Sequence, residues 1–118
     1  MRYPSHVAFA AAFAYEVAAD GAAAFEAVYG PEGEWARYFH SADGYRGTEL
    51  LRATGRGGLS YLLIDRWESA AAYERFLAEH EEEYGRRNRA AGRLYRQETV
   101  IGRFDAIQSD AATRARPV

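Results

Sequence analysis

The stretch Leu59-Ser60-Tyr61-Leu62-Leu63-Ile64-Asp65-Arg66-Trp67-Glu68-Ser69 decides the fold class of this chain. Its first nine residues are mostly apolar and aromatic, which favours a β-strand that ends at Trp67. Ser69 then supplies a hydroxyl that can cap the first turn of a helix. The stretch therefore predicts a junction between a strand and a helix at Trp67-Glu68-Ser69.

The predicted strand has two different faces, because successive side chains of a strand point to opposite sides. One face carries Tyr61, Leu63, Asp65 and Trp67, and the other carries Ser60, Leu62, Ile64 and Arg66. Periodicity alone does not decide which face meets the helices, so both assignments stay open.

Downstream of Ser69 the sequence predicts one long helix that ends at Ala91-Gly92. Glu82 and Glu83 stand four residues before Arg86 and Arg87, the order that favours ion pairs along a helix. Large side chains recur at helical intervals of three and four residues, at Tyr73, Phe76, Leu77, His80 and Tyr84.

Upstream, residues 45–53 predict a second strand and residues 54–58 predict a glycine-rich turn, so the two strands form a hairpin. The segment 7–17 alternates bulky residues with alanines and predicts the first strand. Asp20 is the expected N-cap of the helix that follows. The run Gly30-Pro31-Glu32-Gly33 should break this helix, because proline lacks the amide hydrogen of the helical ladder.

A last strand is predicted from Leu94 to Asp105, with Val100, Ile101 and Phe104 as its apolar members. The order β, α, β, β, α, β favours an α+β ferredoxin-like plait, in which both helices cover one face of a four-stranded antiparallel sheet. The expected domain is residues 1–106, and the polar tail 107–118 is expected to be flexible.

Self-association follows from the size of the chain. With 118 residues and 13.2 kDa the protein has room for one domain, and so small a domain buries a modest share of its surface when it folds alone. Pairing the open sheet faces of two copies would remedy this, so a homodimeric α/β barrel is expected.

Composition excludes several classes of function. Cysteine is absent and every basic residue is arginine, which removes thiol chemistry and lysine Schiff bases. A net charge of −2 argues against nucleic acid as a partner. No stretch approaches the ~20 apolar residues of a membrane helix, and 7–14 predicts a strand instead of a signal peptide, so a cytoplasmic location is expected.

Common motifs of metal and phosphate sites are also missing. His6, His40 and His80 lie on separate predicted elements, which argues against a dedicated metal site. The glycines of residues 55–58 join two strands and do not open a helix, so they do not predict a phosphate loop. What remains is an apolar, tyrosine-rich pocket with one or two arginines.

Three residues have more than one interpretation at this stage. Trp67 is either a core residue or the wall of a pocket, and Tyr73 likewise belongs to a core stripe or to a pocket. His80 is a buried structural histidine, a haem ligand or a general acid or base.

The stretch 61–69, together with Tyr73 and Phe76, resembles the signature of the antibiotic biosynthesis monooxygenase (ABM) domain. The segments 29–35, 45–52 and 98–104 resemble the same family, so the resemblance covers roughly residues 5 to 106.

The resemblance implies a dimeric α/β barrel with a pocket in each subunit between sheet and helices. Polyketide-tailoring members oxidise phenolic polycyclic substrates with molecular oxygen and without a cofactor. Trp67, Tyr73 and Arg87 match their site residues. Leu63 stands where those members have asparagine, so another donor would have to polarise the substrate carbonyl, with Tyr61, Arg66 and Asn88 as candidates.

Haem-degrading relatives use an asparagine of the first strand, a tryptophan and a helical histidine. Here Phe13 and Tyr15 occupy the region of that asparagine, which makes haem the weaker alternative. We therefore predict a cofactor-independent monooxygenase of a small aromatic or polyketide-like substrate. The open alternative is a module that binds or senses an aromatic metabolite. The expected substrate pocket is lined by Phe13, Tyr15, Tyr61, Leu63, His80 and Tyr84.

Overall fold

The computed structural model describes residues 7–54 and 59–107 of the chain. Its strands are β1 Phe9–Val17, β2 Tyr45–Arg52, β3 Leu59–Trp67 and β4 Gln97–Asp105. Its helices are α1 Ala22–Tyr29, α2 Glu34–Phe39, α3 Ala70–Glu79 and α4 Glu81–Ala91, and a 3-10 turn covers Gly92–Leu94.

The four strands form one antiparallel sheet in the order β2-β3-β1-β4. The first and third strands therefore lie in the centre, which is the topology of the ferredoxin-like plait. The predicted fold class is confirmed.

The structure also decides which face of β3 is buried. Tyr61, Leu63, Asp65 and Trp67 point into the core and are at most 7% exposed. Opposite them on β1 stand Tyr15, Phe13, Ala11 and Phe9 in register. These two rows and the aromatic residues of the helices form a single apolar core on the helix side of the sheet.

The first helix breaks where the sequence predicts, but its N-cap residue differs from the prediction. The expected cap at Asp20 is wrong, because Gly21 is the N-cap residue and no side chain bonds there. The break at residues 30–33 is confirmed, since α1 ends before it and α2 begins after it. A Cβ atom at Gly33 would lie 2.7 Å from the carbonyl oxygens of Ala27 and Val28, so glycine is required.

The second helical region starts as predicted but is not one helix. The Ser69 hydroxyl accepts a hydrogen bond from the backbone N–H of Ala72 at 3.1 Å and caps α3. The backbone leaves helical geometry at His80, with φ −123° and ψ 27°, and α4 begins at the next residue. Glu81, Glu82 and Glu83 thereby occupy the first turn of α4, where negative charge interacts favourably with the helix dipole.

The last strand is shorter than predicted. Residues 92–94 form the 3-10 turn, and β4 starts at Gln97. Val100, Ile101 and Phe104 are 66%, 48% and 50% exposed, so they are not part of the core.

Two predictions concern residues outside the described part of the chain. The turn at 55–58 and the tail from residue 108 onward belong to this group. Within residues 7–54 and 59–107, no helix has the length and apolar character needed to cross a lipid bilayer.

Candidate functional site

Trp67 and Tyr73 meet at the junction of β3 and α3, as the sequence suggests. Their ring centroids are 5.4 Å apart, and both side chains are buried. Phe39, Tyr45 and Phe76 contribute further rings at 5.4 to 5.7 Å from the indole. Trp67 is thus a core residue of this structure.

The indole N–H of Trp67 is nevertheless without a hydrogen-bond partner among the described residues. A buried donor left unpaired is costly, and in folded proteins such groups are rare. This N–H is therefore an unusual feature of the core beside Tyr73.

Arg87, the third predicted catalytic residue, lies apart from Trp67 and Tyr73. Its guanidinium forms an ion pair with Glu83 at 2.9 Å and lies 4.1 Å from the ring centroid of Tyr38. It lines an outer cavity of about 200 Å³ next to Trp35. The described contacts of Arg87 include neither Trp67 nor Tyr73, so the three predicted catalytic residues do not form one cluster here.

An inner cavity of about 30 Å³ lies between the sheet and the helices. This volume admits about one water molecule. Four of the predicted pocket residues line it: Phe13, Tyr15, Leu63 and Tyr84. The other lining residues are Tyr29, Trp35, Phe39, Asp65, Asn88 and Glu98.

The remaining two predicted pocket residues line other surfaces. Tyr61 donates a hydrogen bond to Glu26 at 2.6 Å and lines an open groove on the α1 side of the sheet. The imidazole of His80 stacks on Phe76 at 4.1 Å, and its Nδ1–H donates to the Phe76 carbonyl oxygen at 2.9 Å. His80 lines a separate cleft of about 210 Å³.

These positions bear on the haem alternative. Trp67 and His80 are not brought to a common cavity, since Trp67 is not among the residues that line the His80 cleft. Within the described part of the chain, no three His, Asp or Glu side chains are grouped so that they could hold a metal ion. Trp67 and His80, the two residues shared with the haem-degrading relatives, thus lie apart in this structure.

Asp65 is the polar group of the inner cavity that the sequence interpretation missed. It is 7% exposed, and its Oδ1 accepts a hydrogen bond from the Thr48 hydroxyl at 2.7 Å. The Tyr45 hydroxyl is hydrogen-bonded to the same Thr48 oxygen. A chain of hydroxyls on β2 therefore positions the carboxyl group of β3.

The environment of Asp65 favours the neutral carboxyl. Burial raises the pKa of Asp65 from 3.8 to about 6, although the hydrogen bond from Thr48 acts in the opposite direction. At neutral pH the group is mostly ionised and can still accept a proton. A carboxyl in this state is a common feature of active sites.

The tyrosines of the cavity remain protonated. Burial raises the pKa of both Tyr15 and Tyr84 above the usual value. The Tyr15 hydroxyl donates to Glu98 at 2.7 Å, on the exposed edge strand β4. Neither hydroxyl therefore acts as a base. The Tyr84 hydroxyl can donate a hydrogen bond to a bound molecule, whereas the Tyr15 proton is already donated to Glu98.

A signal for Asp65 was present in the sequence. Its position alternates with Leu63 and Trp67, so once that face of β3 is known to be buried, an acidic side chain in the core is expected. Trp35, which lines both the inner and the outer cavity, had no such local signal.

The fold and the buried, aromatic cavity define the class of protein. A ferredoxin-like sheet carries on its helix side a small cavity walled by rings and one buried carboxyl group. The sequence profile described as antibiotic biosynthesis monooxygenase matches residues 8–86. The chain belongs to this family.

One solved structure that the chain resembles is a crystal structure of SnoaB, a cofactor-independent oxygenase from Streptomyces nogalater, in an Asn-to-Ala variant. The similarity has a TM-score of 0.67 at 24% sequence identity and covers 88% of this chain and 97% of that one. It supports the fold. Comparison with curated proteins gave no match.

Proposed function

We propose that this protein is a cofactor-independent monooxygenase that acts in the cytoplasm on a small aromatic substrate with an acidic C–H group. The observation that carries the proposal is the inner cavity, where aromatic rings surround a buried carboxyl group, and the side chains around it must move apart before an aromatic substrate can enter. Membership of the family and the fold shared with a cofactor-independent oxygenase agree with it.

The proposed reaction needs no external electron donor. Loss of a proton from a ring CH2 group next to a conjugated carbonyl gives a carbanion. The carbanion transfers an electron to O2, and combination of the resulting radicals gives an organic peroxide anion. Protonation and loss of water leave a carbonyl, so CH2 and O2 become C=O and H2O, with all four electrons from the substrate.

The predicted residues have distinct roles in this proposal. Trp67 and Tyr73 support the site from the core, and they reach the substrate when the side chains around the inner cavity move apart. Arg87 stabilises the negative charge of the enolate, because a guanidinium donates to an anion with favourable geometry. Trp35 lines both the inner and the outer cavity, so rotation of its ring would join the two and bring Arg87 to the substrate.

The test is turnover by metal-free protein. Purified protein treated with a chelator is mixed with anthrone-type phenols under oxygen, and quinone formation is followed by absorbance. Arg87→Ala should slow the reaction at least about 10-fold, and Tyr73→Phe should also slow it. Arg89→Ala, an exposed arginine of the same helix, is the matched control and should leave the rate unchanged.

A second function is favoured by one specific observation. Leu63 lines the inner cavity, and it replaces the asparagine that the tailoring members use. A cavity without that amide suits a module that binds an aromatic metabolite and does not transform it. Ligand-induced increases in melting temperature, with unchanged ligand recovered after aerobic incubation, would support this second function over the oxygenase.

A further inference from the structure

Asp65 is an anionic group in the core, and no cation among the described residues forms an ion pair with it. None of the ion pairs formed by residues 7–54 and 59–107 includes it, and the described cation–π contacts lie at Tyr38 and Tyr73. Burial of a charge without a counterion is expensive for a folded protein. A side chain in this position is therefore a candidate for a functional role.

Arg103 of β4 is in register with Ala11 and contacts α3, where its guanidinium is ion-paired with Glu74 at 2.9 Å and lies 5.2 Å from the Tyr73 ring centroid. The other polar groups around Asp65 come from every layer that packs against it, and none of them is cationic. They are Tyr45 and Thr48 of β2, Tyr73 of α3, Tyr84 and Asn88 of α4, and Glu98 of β4. On β1 the residue in register with Asp65 is Ala11. The side chain in register beside the carboxyl group on β1 is thus a buried methyl group without charge.

The acidity of Asp65 is not needed for packing. Asparagine has the same shape, and its amide oxygen could accept the same hydrogen bond from Thr48. An amide at this position would avoid the cost of the buried charge. The carboxylate thus supplies one property that the amide lacks, the ability to take up a proton.

We propose that Asp65 is the general base of the oxygenation, which rests on the function proposed above. The Asp65 carboxylate accepts the proton of the acidic C–H group, and the electron pair of that bond remains on the substrate as the carbanion. After oxygen has added, the carboxyl group returns this proton to the distal oxygen of the peroxide anion. The resulting hydroperoxide loses the second proton of the CH2 group and, as its O–O bond breaks, hydroxide; the two leave together as water and the carbonyl remains. Asp65 ends the cycle as the carboxylate.

Glu98 is the other carboxylate of the cavity and is less suited to the role. It lies on the edge strand, it is exposed, and it already accepts the Tyr15 hydroxyl. Water solvates its charge, whereas Asp65 is shielded from water.

The experiment separates proton abstraction from oxygenation. Protein is incubated anaerobically in D2O with anthrone or the smaller 2-tetralone, and deuterium uptake at the acidic CH2 group is measured by NMR. The wild type should accelerate exchange, with a rate that rises with pH and is half-maximal near pH 6. Asp65→Asn should lower the enzymatic rate by at least about 100-fold and abolish this pH dependence.

Two further variants make the assignment specific. Thr48→Val removes the hydrogen bond that favours the ionised carboxyl, so the midpoint of the pH profile should move to higher pH. Asp43→Asn changes an exposed aspartate and should behave as the wild type. Circular dichroism and melting curves confirm that each variant is folded.

The outcomes distinguish the two proposals. Exchange without quinone formation under oxygen would support the base and overturn the oxygenase. Quinone formation at an undiminished rate in folded Asp65→Asn would overturn the base and leave the oxygenase in place. Absence of exchange with both probes in the wild type also overturns the base, and an unmoved pH midpoint in Thr48→Val does so as well.

Discussion

Asp65 gives a stability prediction that does not depend on the reaction. Its pKa is raised on folding, so the folded state binds the proton more tightly than the unfolded state between pH 3.8 and about 6. Above that range the ionised carboxyl destabilises the fold by about 3 kcal/mol, since each pKa unit corresponds to about 1.4 kcal/mol.

Asp65→Asn should therefore stabilise the protein by up to about 3 kcal/mol at pH 7 and by close to zero below about pH 4. Urea unfolding at the two pH values measures the difference. The exposed Asp43→Asn should change the unfolding free energy by less than about 0.5 kcal/mol at either pH. A loss of stability at pH 7 in Asp65→Asn would mean that the carboxylate has a structural role instead.

At the scale of the elements, the helix start at Ser69 is the clearest case of local control. The Ser69 hydroxyl accepts from the Ala72 N–H and so satisfies one of the free donors of α3. Ser69→Ala should cost about 1 kcal/mol of unfolding free energy.

Urea denaturation measures this cost against a matched serine. Ser41 is exposed and its hydroxyl donates to the Tyr38 carbonyl oxygen at 3.2 Å, outside any helix N-terminus. Ser41→Ala should change the unfolding free energy by less than about 0.5 kcal/mol. Equal losses in the two variants would show that the cap adds nothing specific.

At His80 two local tendencies compete, one for a continuous helix and one for the start of a new helix, and residue spacing alone did not show which would win. Helical periodicity continues through residues 73–84, which predicts one helix. The three glutamates that follow His80 favour the start of a new helix, because the first turn carries a partial positive charge. Of the two ion pairs predicted four residues apart, the described contacts contain the one between Glu83 and Arg87.

At the scale of the molecule, the sheet face opposite the helices exposes large apolar residues. Leu51 is 45% exposed and Phe104 50%, and they pair in register with Leu62 and Ala10 on this face. Exposed apolar patches of this kind mark association surfaces. We propose that two copies pair through this face to form a homodimer.

The wild type should therefore sediment as a particle of twice 13.2 kDa. The double variant Leu51→Glu with Phe104→Glu should sediment as a monomer, because a charge at each position would be buried in the interface. Ala78→Glu, on the exposed side of α3, should remain dimeric. A monomeric wild type, or a double variant that stays dimeric, would contradict the proposed interface.

Most of the fold was predictable because its determinants are local. The alternation of residues 59–67, the Ser69 cap and the Gly30-Pro31 break each depend on neighbours a few residues apart. The predicted N-cap at Asp20 and the predicted start of β4 were wrong. In both places more than one residue carried a local signal that suited the role.

The sequence by itself determined the four strands, the βαββαβ order and the junction of Trp67 with Tyr73. Only the tertiary structure decided which face of β3 is buried, and it thereby made Asp65 a core carboxyl beside Tyr84 and Asn88. Period-two alternation is symmetric between the two faces of a strand, so the choice depends on the face that the helices cover. The environment of Asp65 is likewise built from β2, β3 and α4, and contacts over such separations leave no local trace in the sequence.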